Sequence, residues 1–455
     1  MNVLSCISLT LALLAGALPL SAQNGCNGLR YRFPVFNSVT VTSNIQYGTG
    51  RRNWKLESGC SSATQGALPP YTAMLPLRAD LYRPAGDALT SRPLIIFIHG
   101  GYFATGDKTD ADAVYYCQQF ARRGYVAASI SYRLSLCGGN EAALAGQLNS
   151  GDYESVRAAF RALQDAKAAI RFFRANGQTW GIDTSLIFVA GISAGGITAL
   201  GAAAIRTYDE RYEYACAFPT LGLYGGNLLY PDLGPVEGEG GNPGYSSKVK
   251  AAASLAGGML ELDGLDAGID PPLMLIHGSA DDVIPPGAGC AFQGFLSQGL
   301  LAQCVELYGS QRIHTYADSI GLENEFLSFP GGGHVATAAQ HDTAISRFSQ
   351  FFYACICTAA APQTGGLLPA PAVPAVALPR ICPNPADAAA YVELPEDLPL
   401  PAVLTLYGTD GRRCWEYRIT APGPSAALPG GLTPGLYHAE LRAGDFRWRS
   451  AWIRR

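Results

Sequence analysis

Alternating strand and helix patterns fill the chain between residues 24 and 358, and this alternation constrains the fold more than any other feature. Residues 93–98 form an uninterrupted apolar run, as a fully buried strand requires. Residues 156–176 instead repeat apolar side chains near every 3.6 residues, the pattern of an amphipathic helix. Further strands are predicted at 125–132, 185–190, 249–255, 272–276 and 324–329, and further helices at 110–123, up to 204 and ending near 354. Such alternation predicts an α/β fold whose doubly wound, mostly parallel sheet carries helices on both faces.

Three other segments flank this α/β region of the 455-residue chain. Residues 1–22 contain an apolar core before a small-residue site and predict a cleaved secretory signal peptide, with a short membrane anchor as the alternative. Residues 359–379 are rich in Ala and Pro and predict an extended linker. Residues 380–455 alternate short β-prone runs with Gly and Pro, which predicts a small C-terminal all-β sandwich domain.

Composition excludes several classes of partner. The formal net charge is −4 at a sequence pI of about 5.9, which gives no electrostatic footprint for nucleic acid. No apolar stretch of about 20 residues follows the N-terminus, so we expect no transmembrane span in the mature chain. The C-x-C at Cys355 and Cys357 lacks a second ligand pair at zinc spacing, and no dinucleotide or Walker A pattern occurs. We therefore expect neither a metal nor an organic cofactor.

The twelve cysteines become eleven when the signal peptide leaves with Cys6. An oxidising compartment permits disulfides, and an odd count leaves at least one thiol unpaired. Three pairs are plausible by closeness in the chain: Cys26 with Cys60, Cys117 with Cys137, and Cys290 with Cys304. Closeness does not fix connectivity, which sequence alone cannot give.

A G-x-S-x-G motif follows the predicted strand 185–190. Gly191 and Gly195 flank Ser193 where the strand turns sharply into a helix, and a turn that tight requires residues without side chains on either side. Such an elbow exposes the serine oxygen above the carboxyl end of the sheet and leaves the N–H of Ala194 near the same space. An ordinary helix-capping serine is the alternative interpretation.

A serine nucleophile needs a base and a carboxylate that orients the base. His334 lies in a glycine-rich loop directly after the predicted strand 324–329, and Asp281 lies just past the strand that precedes it. Asp282 is the rival acid. The chain order Ser193, Asp281, His334 differs from the chymotrypsin and subtilisin orders and matches that of α/β-hydrolases.

A second glycine-rich turn follows the strand 93–98. It reads His99-Gly100-Gly101-Tyr102, and glycines allow backbone N–H groups to approach a reacting carbonyl. We expect the N–H groups of Gly101 and Tyr102 to bind an oxyanion together with that of Ala194. His99, like His277, ends a strand before glycine, which favours a role in positioning the backbone.

These motifs resemble the α/β-hydrolase superfamily, specifically its H-G-G-x carboxylesterase and lipase-like branch, over about residues 40–355. The resemblance implies a serine esterase with Ser193 as nucleophile, His334 as base and Asp281 as acid, acting on a small-molecule or polymeric ester. Tyr102 departs from the third glycine of many members, and its ring would narrow or line the acyl pocket. A serine peptidase of the same fold and a non-catalytic adhesion protein on a hydrolase scaffold are the alternatives.

The C-terminal segment resembles the sorting domain of type IX secretion substrates in Bacteroidota. Residues 383–386, 406–412 and 434–437 carry the resemblance, together with the terminal Arg454-Arg455 pair. It implies the type IX secretion machinery as a partner, and a secreted or cell-surface location reached through the periplasm. A carbohydrate-binding β-sandwich is the alternative.

Overall fold

The chain forms two compact units, residues Met1–Ala361 and Pro362–Arg455, in a computed structural model. In the first unit the structure describes residues 26, 28–51, 74–136, 154–206, 223–224, 227–228, 233–292 and 306–357. In the second unit it describes residues 380–454 with gaps at 383–390, 395–397, 399, 409–412, 422, 424, 430–431, 434 and 444–445. The predicted signal peptide and linker lie outside these residues.

An eight-stranded, mostly parallel sheet organises the first unit. The strands of this unit are β1 (Val39–Arg51), β2 (Met74–Pro84), β3 (Arg92–Ile98), β4 (Val126–Ile130), β5 (Ile182–Ile192), β6 (Leu223–Tyr224), β7 (Asn227–Leu228), β8 (Ala251–Leu255), β9 (Gly258–Met259), β10 (Leu273–Gly278), β11 (Ala288–Cys290), β12 (Glu306–Gly309) and β13 (Asn324–Phe329). The large sheet has the order β1-β2-β4-β3-β5-β8-β10-β13. β2 runs antiparallel to both neighbours, and every pairing from β4 to β13 is parallel. This is the α/β-hydrolase architecture, which confirms the predicted fold class.

Helices cover the sheet on both faces, and the apolar runs of the central strands explain why. The helices are α1 (Ala111–Arg122), α2 (Glu154–Ala175), α3 (Gly177–Trp180), α4 (Ala194–Ala204), α5 (Ser310–Ile320) and α6 (Ala338–Cys357). In β3, Leu94 and Ile96 pack into a core with α2 and α4, whereas Ile95 and Phe97 pack into a second core with α1 and α6. All seven residues of β3 are buried, as a strand covered on both faces requires.

A disulfide between Cys26 and Cys357 joins the two ends of the first unit across 331 residues. The predicted pairing of Cys26 with Cys60 is therefore wrong. The pairing of Cys117 is also wrong, because its thiol is free and buried in α1, where burial raises its pKa well above the usual range. Cys290 is disulfide-bonded, and its pairing with Cys304 stays a prediction because residue 304 lies outside the described residues.

The second unit is a small all-β structure with its own core. Its strands are β14 (Arg380–Cys382), β15 (Tyr391–Glu393), β16 (Ala402–Gly408), β17 (Arg413–Ile419), β18 (Ser425–Ala427), β19 (Gly435–Ala443) and β20 (Phe446–Arg454). They form antiparallel sheets of order β14-β15-β18 and β17-β16-β19-β20. Val392 from the smaller sheet and Leu404, Leu406 and Leu441 from the larger share one hydrophobic cluster. The two sheets therefore enclose a sandwich core.

Membrane-spanning helices and metal-binding clusters are both absent from the described residues. No described helix combines the length and apolar composition needed to cross a membrane. Within the same residues, no group of three or more His, Cys, Asp or Glu side chains is arranged to hold a metal ion.

Candidate active site

Ser193 occupies the turn between β5 and α4. Its backbone has φ 55° and ψ −123°, a conformation that costs energy for any residue with a side chain. The flanking glycines explain how the turn closes. A Cβ on Gly191 would lie 2.1 Å from the carbonyl oxygen of Gly195, and one on Gly195 would lie 2.0 Å from that of Ile98. The motif thus folds as the strained elbow that the sequence predicts.

Three predicted side chains meet above the carboxyl ends of β5, β10 and β13. The Oγ of Ser193 lies 2.8 Å from Nε2 of His334, and Nδ1 of His334 lies 2.8 Å from Oδ2 of Asp281. The His334 side chain keeps 8% of its surface exposed, whereas the Asp281 side chain is fully buried. The contacts form one continuous hydrogen-bonded path from a carboxylate through an imidazole to a hydroxyl.

Both oxygens of the Asp281 carboxylate accept hydrogen bonds. Its Oδ1 accepts hydrogen bonds from the backbone N–H groups of Val283 and Ile284, each at 2.9 Å. Burial alone would raise the pKa of Asp281, but hydrogen bonds from His277, His334 and Ile284 outweigh that effect and hold the pKa well below its usual range. Asp282, the rival acid, is exposed to solvent. Asp281 is therefore the carboxylate that contacts His334.

His277 is a site residue whose side chain the sequence reasoning missed. The sequence predicts for it only a role in positioning the backbone at the end of β10. Its fully buried ring instead places Nε2 3.1 Å from Oδ2 of Asp281. The four-residue spacing between a strand-ending histidine and the acid of the next turn is the sequence signal that could have indicated this contact.

The loop after β3 is fixed by two stacked rings. Nδ1 of His99 lies 2.7 Å from the carbonyl oxygen of Gly100, and the hydroxyl of Tyr132 donates to the carbonyl oxygens of His99 and Gly100 at 3.1 and 3.2 Å. The two rings stack with centroids 4.4 Å apart, and burial lowers the pKa of His99. A neutral ring with its hydrogen on Nδ1 donates to Gly100, so His99 and Tyr132 together hold the carbonyl groups of this loop.

The predicted oxyanion donors lie beside the elbow. A Cβ built on Gly100 would be 3.3 Å from the Cβ of Ser193, so this loop and the elbow are in contact. Ala194 is the first residue of α4, where backbone N–H groups have no partner within the helix. Gly101 and Tyr102 both have positive φ, of 103° and 59°. Gly101 adopts such a conformation without strain, whereas Tyr102 adopts it at an energetic cost.

An apolar cavity of about 560 Å³, including its open mouth, adjoins Ser193. Six of the residues that line it are Tyr102, Ser193, Ala194, Ile197, Val283 and Phe292. The centroid of the Tyr102 ring lies 5.1 Å from that of the Phe292 ring and 6.4 Å from that of the His334 ring. Tyr102 therefore lines the cavity, as its position in the motif suggests.

Backbone strain is concentrated around this cavity. The described non-glycine residues with positive φ include Tyr102, Phe103, Ser193 and Phe292, and all four line it. Each such residue costs of order 1–3 kcal/mol and persists only where the surrounding structure holds it. Four of the seven described non-glycine residues with positive φ therefore line the cavity beside Ser193.

Solved structures similar to this chain include three with low sequence identity. A truncated carbohydrate esterase from gut microbiota is 20% identical, with a TM-score of 0.40 over 70% of this chain and 96% of its own. An esterase from Thermogutta terrifontis with bound propionate is 20% identical, with a TM-score of 0.39 over 62% and 90%. A bifunctional GH43-CE protein from Bacteroides eggerthii is 22% identical, with a TM-score of 0.41 over 61% and 36%.

One curated relative and one family model are similar in sequence to part of this chain. The neuroligin-like protein glit-1 of Caenorhabditis elegans is 31% identical over 131 residues, which is 28% of this chain. The matched part spans 16% of the length of that relative. Residues 79–218, which contain the His99–Tyr102 loop and the Ser193 elbow, match the model of the BD-FAE family.

Proposed function

We propose that this protein is a serine carboxylic ester hydrolase that works through an acyl-enzyme. The observation that carries the proposal is the unbroken path from Asp281 through His334 to Ser193, with contacts of 2.8 Å at both steps. The match of residues 79–218 to the BD-FAE family supports it further, because that segment contains the elbow and the loop of the oxyanion donors.

The first half-reaction forms a bond from Ser193 to the ester carbon. As the Oγ attacks, its proton passes to Nε2 of His334, and the carbonyl electron pair moves to the oxygen. Asp281 remains ionised and stabilises the imidazolium. When the tetrahedral intermediate collapses, His334 gives the proton to the leaving alcohol, and an acyl group stays on Ser193.

Backbone N–H groups of Gly101, Tyr102 and Ala194 stabilise the charge on the oxygen. Their positions are fixed before the reaction by the His99 and Tyr132 contacts to the loop, so little reorganisation is needed as charge develops. Water then attacks the acyl carbon, His334 takes its proton and returns it to Ser193, and the acid is released. The apolar cavity receives the acyl part of the ester.

The location of the enzyme is proposed from its two termini. Residues 1–22 have the pattern of a secretory signal, and residues 380–455 carry the short motifs of a type IX sorting domain. The second unit has its own sandwich core, and Ser193, His334 and Asp281 all belong to the first unit. Both terminal segments support a protein that is exported through the periplasm to the cell surface or the medium. The segment that directs this transport is then separate from the catalytic unit.

Esters and matched amides of one chromophore test this function with the full chain. We expect hydrolysis of the esters, little turnover of the amides, and covalent labelling of Ser193 by an organophosphonate. Ser193→Ala is expected to lose both hydrolysis and labelling while its circular dichroism is unchanged. Labelling of the Ser193→Ala protein would reject the nucleophile, and faster turnover of the amides would favour the peptidase alternative.

A further inference from the structure

The imidazole of His277 lies behind the proposed triad and is fully buried. Its Nε2 is 2.9 Å from the carbonyl oxygen of Ile284 and 3.1 Å from Oδ2 of Asp281. Its Nδ1 is 2.8 Å from Oγ of Ser310. Ser310 is the first residue of α5, so His277 connects the start of that helix to the acid.

These neighbours determine where the proton of His277 resides. A carbonyl oxygen only accepts hydrogen bonds, so Nε2 beside Ile284 carries the hydrogen. The backbone N–H of Ser310 lies 3.4 Å from Nδ1 and can only donate, so Nδ1 is the acceptor. The N–H at Nε2 is thus shared between Ile284 and Asp281 as a three-centre hydrogen bond.

Two histidines therefore share one carboxylate oxygen. Oδ2 of Asp281 faces Nδ1 of His334 at 2.8 Å and Nε2 of His277 at 3.1 Å, while Oδ1 faces two backbone N–H groups. The described titratable groups in contact with Asp281 are these two histidines. The Asp281 side chain cannot rotate without losing several of these hydrogen bonds.

We propose that His277 is a positioning residue, which fixes the Asp281 carboxylate and withdraws part of its negative charge from His334. This proposal rests on the proposed function, since it assigns His277 to the same reaction. With His277 in place, Oδ2 of Asp281 accepts hydrogen bonds from two histidines. Without that N–H, more of the charge acts on His334, and the protonated form of His334 becomes more stable.

The consequence is a change in pH dependence that a packing role would not produce. His334 must be neutral to accept the proton of Ser193. If the protonated form of His334 is stabilised, the base stays protonated up to a higher pH. The acid limb of the kcat/KM profile then shifts to higher pH. A loosened carboxylate also lowers kcat, because small misplacements of catalytic groups cost up to about 100-fold.

Two substitutions of similar size separate the hydrogen bond from packing. His277→Met fills the space without an N–H, whereas His277→Gln offers an amide N–H at about the position of Nε2. For the Met variant of the full chain we expect kcat about 10–100-fold lower, KM within about twofold, and an acid limb about half a pH unit higher. The Gln variant should keep most of the wild-type kcat, and the acid limb of its pH profile should lie where that of the wild-type protein does. Ser310→Ala should have a smaller effect, since its backbone N–H remains beside Nδ1.

A second readout works without any substrate. The chain has six histidines, so histidine-labelled protein gives few NMR signals, and His334→Gln assigns the one from His334. The midpoint of that signal's pH titration should rise in His277→Met and stay in His277→Gln. Equal loss of kcat in the two variants with unmoved titration midpoints would overturn the proposal and leave only packing. If the wild-type protein hydrolysed no ester, the proposed function would fail, yet the titration would still decide the His277 contact.

Discussion

The nucleophile side and the acid side of the site lie on the same edge of the sheet but are built differently. On the nucleophile side, local sequence determines the geometry, because Gly191 and Gly195 allow the strained turn at Ser193. On the acid side, Asp281 is held by groups from the following turn and from β10, and His334 comes from the loop after β13. The first kind of structure can be recognised as a motif, whereas the second depends on contacts that form only when the sheet assembles.

Gly195→Ala tests how far the nucleophile side depends on close backbone approach. The new Cβ would lie 2.0 Å from the carbonyl oxygen of Ile98 and 2.4 Å from that of His99, so both the elbow and the neighbouring loop must move. We expect ester hydrolysis to fall below detection and the free energy of unfolding to drop by about 2–3 kcal/mol. Activity assays and chemical denaturation measure the two effects. A stable, active variant would show that the elbow tolerates side chains.

Asp281→Asn tests the acid side, where we expect loss of activity without disruption of the elbow. By analogy with known triads, kcat should fall by about 10³- to 10⁴-fold, because an amide holds His334 in the wrong tautomer. Asp282→Asn is the matched control and should change kcat little, since Asp282 is exposed. Steady-state kinetics on one ester gives both values, and the reverse ranking would contradict the assignment.

The pH profile of the wild-type enzyme sharpens the distinction between base and acid. The pKa of Asp281 lies well below its usual range, so this carboxylate stays ionised throughout the acid limb. One protonation, that of His334, should then govern the limb, and kcat/KM should fall about tenfold per pH unit with a slope of one. A slope of two above about pH 4 would mean that the acid titrates together with the base.

Sequence reasoning succeeded where a structural feature is local. The Ser193 elbow, the loop at His99 and the strand Asn324–Phe329 all follow from residues adjacent in the chain. It missed β1 (Val39–Arg51), in which two register shifts interrupt the alternation that marks a strand. It also missed the side-chain role of His277 and the partner of Cys26, 331 residues away. The Cys26–Cys357 contact depends on the assembled fold, and no local pattern specifies it.

Tyr102→Gly separates the backbone role of this residue from the role of its ring. Its φ of 59° suits glycine, so the N–H of the oxyanion loop should keep its position. Loss of the ring between Phe292 and His334 should widen the cavity. We expect kcat/KM for a long acyl ester to rise about tenfold relative to acetate, a change of ~1.4 kcal/mol. An unchanged ratio across an acyl series would show that the ring does not limit acyl length.

Deletion of residues 380–455 should have the smallest effect on the chemistry, because both sides of the site lie in the first unit. The deleted segment has nearly balanced charges, with nine Lys and Arg against eight Asp and Glu, so it offers no strong field to steer a substrate. We expect kcat/KM on a soluble ester to stay within about threefold, which is under ~1 kcal/mol in transition-state binding. In the native host, the shortened protein should accumulate in the periplasm if the sandwich is the transport address. Cell fractionation and assays of the purified protein measure the two outcomes separately. Normal export would reject the sorting role, and a large loss of activity in vitro would mean that the sandwich contributes to the site.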